Sequence, residues 1–351
     1  MWPGSLANAA CRLVAVLALS VAQPLAAAPS PERVAGFKAL QAADLELATI
    51  GFRLATGNVG LCQLKQAQFG MPLQAITQYD PVQRADARTA FGFAAVIVIE
   101  AVVPGSPAAQ AGLHAGDSLL AIDGVPQPTL AEARATVGVN DRDVAQAALA
   151  RGGPARQRML RVLRGGTTQD IGITPTSGCR LTPELLVGTG LEAKSDGVHL
   201  QIGDGYLDRY DANTVAIVVA HEMAHNILHH YDQLRRARSC AADAAQIRRT
   251  EAEADRLSVA LLGNAGYDPM LPVRFWHGRS GGLQIFSHDR DHGSAAEREK
   301  QVGAAALMLQ RSSRGVFYPP DFKQMVESTK RPGCARAGTG KNTAAREASA
   351  L

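Results

Sequence analysis

Residues 215–220, Val-Ala-Ile-Val-Val-Ala, run without a break into His221-Glu222-Met223-Ala224-His225. An unbroken apolar run has no polar side to offer solvent, so this segment is expected inside a core. Asp211 or Asn213 just before it can cap a helix. On a helix, histidines four positions apart share one face, and both imidazoles reach one point with Glu222 beside them. Two imidazoles on buried, rigid backbone suit a zinc ion, and Glu222 suits a base that takes a proton from water there.

A catalytic zinc needs a third protein ligand. His229 lies four residues beyond His225 and resembles part of the longer motif of the metzincins, but that motif needs a glycine turn to bring back a third histidine six residues on, and residues 226–228 contain none. A straight helix carries His229 up another turn, so His229 and His230 are expected at the surface or in a substrate cleft. Thr250-Glu251-Ala252-Glu253-Ala254-Asp255 offers a better donor. Glu251 and Asp255 share a helix face, so Glu251 can bind metal while Asp255 accepts the second ring N–H of a ligand histidine. Glu253 is expected to point elsewhere. With Arg248, Arg249 and Arg256 nearby, such a stretch is ordinarily a solvated salt-bridged face. Its position shortly after the histidine pair reverses that reading.

The chain has 351 residues, more than one hydrophobic core usually spans, and two domains are expected. Its net charge of +4, with 46% hydrophobic and 19% charged residues, is that of a globular protein and demands no nucleic-acid partner. Aromatic residues make up only 5%, too few for base-stacking platforms. Arg12, the mainly apolar residues 13–22, Pro24 and Ala26-Ala27-Ala28 read as a secretory signal peptide over residues 1–28, its apolar run too short to span a bilayer. The mature chain is therefore expected in the periplasm or secreted, with no transmembrane span. Loss of Cys11 with the leader leaves Cys62, Cys179, Cys240 and Cys334, an even number in an oxidising compartment. Three pairings exist. Cys62–Cys179 with Cys240–Cys334 is preferred because the first pair brackets a unit that reads as an insertion.

Val34, Phe37, Leu40, Leu45, Leu47, Ile50 and Leu54 recur at helical spacing, with Pro31 at a helix start and Gly57-Asn58 at its end. The texture changes near residue 68. Phe91-Gly92-Phe93 precedes the β-branched run 96–99; Val103-Pro104-Gly105-Ser106-Pro107 and Gly112 follow, then Gly116-Asp117 and the turn pair Asp123-Gly124. The combined string closely resembles a PDZ domain over about residues 68–176. The resemblance implies a carboxylate-binding loop at Phe91-Gly92-Phe93, a groove helix over 141–151, closing strands over 159–163 and 169–173, and a C-terminal peptide ligand. Residues 181–191 after Thr182-Pro183 are expected to be helical, residues 198–202 alternate like a half-exposed strand, and the tail after Pro332 lacks apolar periodicity.

His221-Glu222-x-x-His225, Glu251-x-Glu253-Ala254-Asp255-Arg256 and Leu261-Leu262-x-x-Ala265-Gly266-Tyr267-Asp268-Pro269 together resemble the gluzincin family of the CAAX prenyl proteases, HtpX and the Oma-like peptidases, most of all its soluble periplasmic branch. The resemblance covers roughly residues 180–305 and the N-terminal helix. It implies a zinc metalloendopeptidase holding one Zn2+ on His221, His225 and Glu251, with Glu222 as base and Asp255 supporting a ligand histidine. The family's His-Pro-Ser segment and following Arg correspond to His292-Gly293-Ser294 and Arg298, which are expected to bind substrate or stabilise charge, although Gly293 replaces the Pro and His288 offers a competing alignment. The strand 198–202 corresponds to the family's edge strand, along which polypeptide substrates are expected to pair.

The fold class expected is α+β: a mainly helical zincin domain with a small sheet, interrupted by a β-rich PDZ-like domain. Its divisions are a leader (1–28), the N-terminal helix (29–67), the PDZ-like unit (68–176), the peptidase unit (177–332) and a tail (333–351). The competing readings are a catalytically silent PDZ-containing binding or chaperone-like protein with a metal-stabilised core, and a metzincin that uses His229.

Overall fold

The computed structural model describes residues 28–238, 244–277, 294–312 and 315–328. The expected leader, the tail, His292 and the Cys240–Cys334 pair fall outside these residues. The chain begins with α1 (Pro31–Gly57), β1 (Lys65–Gln68), β2 (Leu73–Ala75), α2 (Arg84–Phe91), β3 (Ile97–Ile99), α3 (Pro107–Gln110), β4 (Ser118–Ile122) and β5 (Val125–Pro126). Then come α4 (Asn140–Ala150), β6 (Arg158–Arg164), β7 (Thr167–Ile173), β8 (Thr176–Cys179), β9 (Thr182–Leu186), β10 (Ala193–Ser195) and β11 (His199–Gly203). The rest is helical: α5 (Asp204–Arg209), α6 (Ala212–Ile227), α7 (His230–Arg238), α8 (Ala244–Asn264), α9 (Leu271–His277), α10 (Ala295–Gln310) and α11 (Phe322–Ser328). The α+β class holds, with a β-rich part ahead of a helical one.

Two apolar cores account for this division. One gathers Phe91, Phe93, Ile97, Ile99, Leu119 and Leu160 around an antiparallel sheet of order β2-β3-β4-β6-β7, with β5 paired to β4 and the inner face of α4 closing it through Ala145 and Leu149. The other packs α6 and α8 against α9, α10 and a three-stranded sheet, and holds the whole apolar run of residues 215–220. α1 belongs to both. Ser30 caps it by accepting the Arg33 N–H, with Pro31 in the first turn. Its first turns lay Val34 and Phe37 on the β-rich core, and its last half buries Leu47, Ile50 and Leu54 in the helical core. Where the chain leaves and re-enters the helical part, β1 pairs antiparallel with β8, and a Cys62–Cys179 disulfide ties the same junction.

Three expectations are corrected here. Residues 182–186 form a strand rather than a helix: β9 pairs in parallel with β11, and Pro183 sits on its outer side, where a missing N–H costs no ladder bond. Second, β11 is the central strand, flanked by β10 and β9, so the 198–202 segment has no edge to offer a substrate. The short Ala193–Ser195 strand that covers it carries no apolar alternation for a sequence reading to detect. Third, Phe91-Gly92-Phe93 is a helix end. Gly92, at φ +80°, closes α2 by donating its N–H to the Arg88 carbonyl, while Phe91 and Phe93 are buried in the core. The β2–α4 groove is lined instead by Phe69-Gly70-Met71-Pro72, a second apolar-Gly-apolar string directly before β2.

Candidate metal centre

Asp211 caps α6 by accepting the Thr214 N–H, and the apolar turns that follow are fully buried. The helix therefore enters the core rigidly and presents His221 and His225 from one face. α8 lies along α6 and brings Glu251 to the same point. One ligand atom from each of the three residues lies within 4.8 Å of the others. The two Nε2 atoms are 3.0 Å apart, and Glu251 places Oε2 3.2 Å from His221 Nε2 and Oε1 3.5 Å from His225 Nε2. Tetrahedral coordination with bonds of roughly 2.0–2.2 Å sets neighbouring ligand atoms about 3.3–3.6 Å apart. The donor set thus fits a small divalent ion in both chemistry and spacing.

Each histidine is held from behind. His221 Nδ1 lies 3.0 Å from Asp255 Oδ1, and Arg298 clamps the same carboxylate through Nε and Nη2, both at 2.6 Å. The Arg298 guanidinium lies over the Trp276 ring, 4.1 Å from its centroid, so a cation in the protein interior has a carboxylate on one side and a π face on the other. His225 Nδ1 lies 3.1 Å from His230 Nδ1, and His230 Nε2 lies 3.2 Å from Glu253 Oε2. One proton assignment satisfies both chains. If His221 donates Nδ1–H to Asp255, His225 donates Nδ1–H to His230, and His230 donates Nε2–H to Glu253, every ring N–H has an acceptor. Both ligand Nε2 lone pairs then face the metal position.

The electrostatics agree. Burial pulls the His221 imidazole down, but hydrogen bonds to Asp255 and Glu251 outweigh it and lift the metal-free ring to about 9. Such a site favours positive charge. Burial pushes the Asp255 carboxyl up, and the charge of Arg298 with the His221 hydrogen bond overcomes this to hold it below the usual carboxylate range. His230 is pulled well down by burial and by the neighbouring His225, consistent with a neutral ring relaying a hydrogen bond.

His221, His225 and Glu251 thus converge on one point, Asp255 and Arg298 stand behind His221, and Glu222, 7% exposed, follows His221 in the sequence of α6. His292 lies outside the described residues. His230 and Glu253 correct the sequence reading. His230 is completely buried rather than at the surface, and Glu253 faces it instead of pointing away. The cause is His229, which takes φ +51° and ends α6 without a glycine, so that α7 folds His230 back onto His225. Asn226 is a further residue that the sequence reading missed. It accepts the Gly197 N–H at 2.6 Å and donates to the His199 carbonyl, fastening the small sheet to α6.

Residues 98–164 match the family model described as a PDZ domain. Among solved structures, the chain is similar to the HtrA3 PDZ domain bound to a phage-derived ligand, at 19% identity and TM-score 0.24, over 32% of this chain and 88% of that one. The HtrA-type protease AlgW with decapeptide matches at 25% identity and TM-score 0.24, and the Yersinia pestis serine endoprotease at 23% and 0.20. Each of these two aligns over 32% of this chain and only 30% of its own length. A search of curated proteins finds no match. Among the described residues no helix is long and apolar enough to cross a membrane. The chain thus combines a PDZ domain with a buried His-His-Glu group suited to a metal ion.

Proposed function

We propose that this protein is an exported, zinc-dependent endopeptidase that cleaves polypeptides, with its PDZ domain recognising or regulating substrate. The observation that carries the reading is the convergence of His221, His225 and Glu251 from two helices, with Glu222 next to His221. In this reading one Zn2+ binds per chain, residues 177–332 with the N-terminal helix form the peptidase, and residues 68–176 are an insertion. The Cys62–Cys179 disulfide hints at an oxidising compartment, in keeping with a periplasmic or secreted enzyme acting in envelope protein quality control.

Zinc, when bound, supplies Lewis acidity at the scissile carbonyl and brings the pKa of water toward about 7. Glu222 takes the proton from water and passes it to the leaving amine. Asp255, anchored by Arg298, holds His221 in the tautomer that turns Nε2 inward, and His230 with Glu253 does the same for His225. Because β11 is covered, the exposed edge available beside α6 is β10, and the substrate backbone pairs there in an extended form.

Zinc analysis and casein cleavage by wild type and Glu222→Gln test this reading. Both proteins should hold one zinc per chain, and the variant should lose about 100-fold or more in rate, as removal of a general base does. A zinc-loaded wild type that degrades nothing the variant spares would refute it in favour of a silent, metal-stabilised binding protein.

A further inference from the structure

A cleft of about 750 Å3 lies between the two cores, apart from the metal centre. Its walls are β2 with the preceding residues 69–72, α4, the middle of α1, and β9. Two of these walls are sheet edges, since β2 ends its sheet and β9 ends the three-stranded one. Ile76 donates its N–H to the Val96 carbonyl and Glu100 donates to the Pro72 carbonyl. In an antiparallel ladder this turns residues 72, 74 and 76 toward β3, leaving Leu73 to direct its N–H and C=O outward. Across the cleft, Thr182 donates to the Val198 carbonyl, so alternation along the parallel pair turns Pro183 and Leu185 away from β11. Unpaired strand edges are matched by another backbone in extended form.

The polar groups in the cleft define which side chain such a backbone carries. Asp44 of α1 and Glu100, just beyond β3, hydrogen-bond to each other. Gln74 donates Nε2 to Glu100 Oε1 at 3.0 Å, and its own Oε1 is buried with no hydrogen-bond partner among the described residues. The cation whose charge acts on the pair is Arg142, and its Nη2 is engaged by Asp143 at 2.9 Å and Glu184 at 2.8 Å. Tyr79 is the other titratable group close to the pair. Among the described residues no cation contacts these three acceptors, and a buried acceptor left unpaired is costly.

We propose that this cleft binds an extended polypeptide segment laid along the free edge of β2 and facing β9, with a lysine or arginine side chain directed into the pocket of Asp44, Glu100 and Gln74. The proposal rests on reading the PDZ groove as a peptide site, but not on the metal chemistry. Burial raises Asp44 to about 6, and burial with the adjacent Asp44 charge raises Glu100 well above the usual range. At pH 7.5 Asp44 thus carries a negative charge, enough for one ligand cation. Below pH 6 Asp44 takes up its proton, and the preference for a basic side chain fades.

The test uses the full-length Glu222→Gln protein, so that bound peptide is not cleaved, and fluorescein-labelled octapeptides of one fixed sequence in which a lysine or an isosteric norleucine is walked through each position. At pH 7.5 one position should favour lysine by about tenfold or more, as a charge-assisted hydrogen bond in a partly dry site does. That preference should fall at least several-fold at pH 5, and it should disappear in Asp44→Asn and weaken in Glu100→Gln. The pH series on the unaltered cleft stands even if either variant misfolds. Peptides that bind with no lysine preference at any position would overturn the basic pocket while leaving the groove as a peptide site. A lysine preference that persists at pH 5 or in folded Asp44→Asn would overturn the assignment to these residues. No binding by any peptide would overturn the cleft as a peptide site, and the casein assay, which reads the metal centre, would be unaffected by that result.

Discussion

If Asp44 serves a ligand, its charge should burden the fold without one, and Asp44→Asn measures that burden. Burial, partly offset by a hydrogen bond with Glu100 and the charge of Arg142, lifts the carboxyl from 3.8 to about 6. A carboxyl raised on folding binds its proton more tightly in the native state than in the unfolded chain. Its contribution is therefore fully present below pH 4 and is lost as the pH rises through about 6. At about 1.4 kcal/mol per pH unit, the loss amounts to about 3 kcal/mol by pH 7.5. Asparagine has nearly the same shape, keeps a side-chain oxygen on the Glu100 side, and carries no charge. Asp44→Asn should then unfold later in urea at pH 7.5, by up to about 3 kcal/mol, with the advantage shrinking toward zero at pH 4. Urea titrations followed by circular dichroism at both pH values, at fixed metal content, make the comparison. An advantage of equal size at both pH values, or a variant less stable at pH 7.5, would refute the argument that a buried charge is the cause.

Arg298→Met should be strongly destabilising, by about 3–5 kcal/mol, because it strands the buried Asp255 carboxylate; urea unfolding checks the stability. Competition with a zinc chelator should show affinity down by about tenfold to hundredfold in the same protein. His230→Phe should weaken zinc by about the same factor, since His225 loses the acceptor of its Nδ1–H. His229→Asn, which keeps a residue able to adopt positive φ, should leave zinc affinity within about twofold. Converting Cys62 and Cys179 to serine together opens a loop of sequence separation 117, and in the chain-entropy account should cost about 4–5 kcal/mol, readable in the urea midpoint.

What could be read from the sequence was whatever local spacing determines. The apolar run before His221 meant a buried helix, and the four-residue spacing of the histidines and of Glu251 with Asp255 meant shared faces; neither inference needs knowledge of the rest of the chain. Arg298 was reachable only through a resemblance, because nothing in Glu297-Arg298-Glu299 distinguishes the residue that turns inward. What the sequence hid depends on backbone choices with more than one solution. Histidine at φ +51° ends α6 as a glycine would, and that single dihedral moves His230 from the surface to the layer behind His225. Thr182-Pro183 can cap a helix or begin an outer strand, and the pairing partner β11 selects the strand. Phe69-Gly70-Met71 and Phe91-Gly92-Phe93 are equivalent as strings. Only the strand order, which puts β2 at an edge and Gly92 at a helix end, decides which of them lines a groove.

The same topology links the cleft to the metal centre through α1. α1 supplies Asp44 to the cleft, packs Gly51 against Pro183 of β9 so closely that a β-carbon there would fall 2.6 Å from the proline ring, and ends at the buried Asn58. Asn58 donates to the Leu54 carbonyl of its own helix and to the Leu261 carbonyl of α8, both at 2.9 Å, and α8 carries Glu251 and Asp255. The disulfide and the β1–β8 pair fix the opposite side of the junction. A polypeptide held along β2 would therefore lie at a set distance and angle from His221 and His225, and its flanking residues would meet the centre at a concentration governed by that geometry instead of by diffusion. If both proposals hold, such an arrangement favours long, unfolded chains, which can span both places at once, over short peptides, which can reach only one.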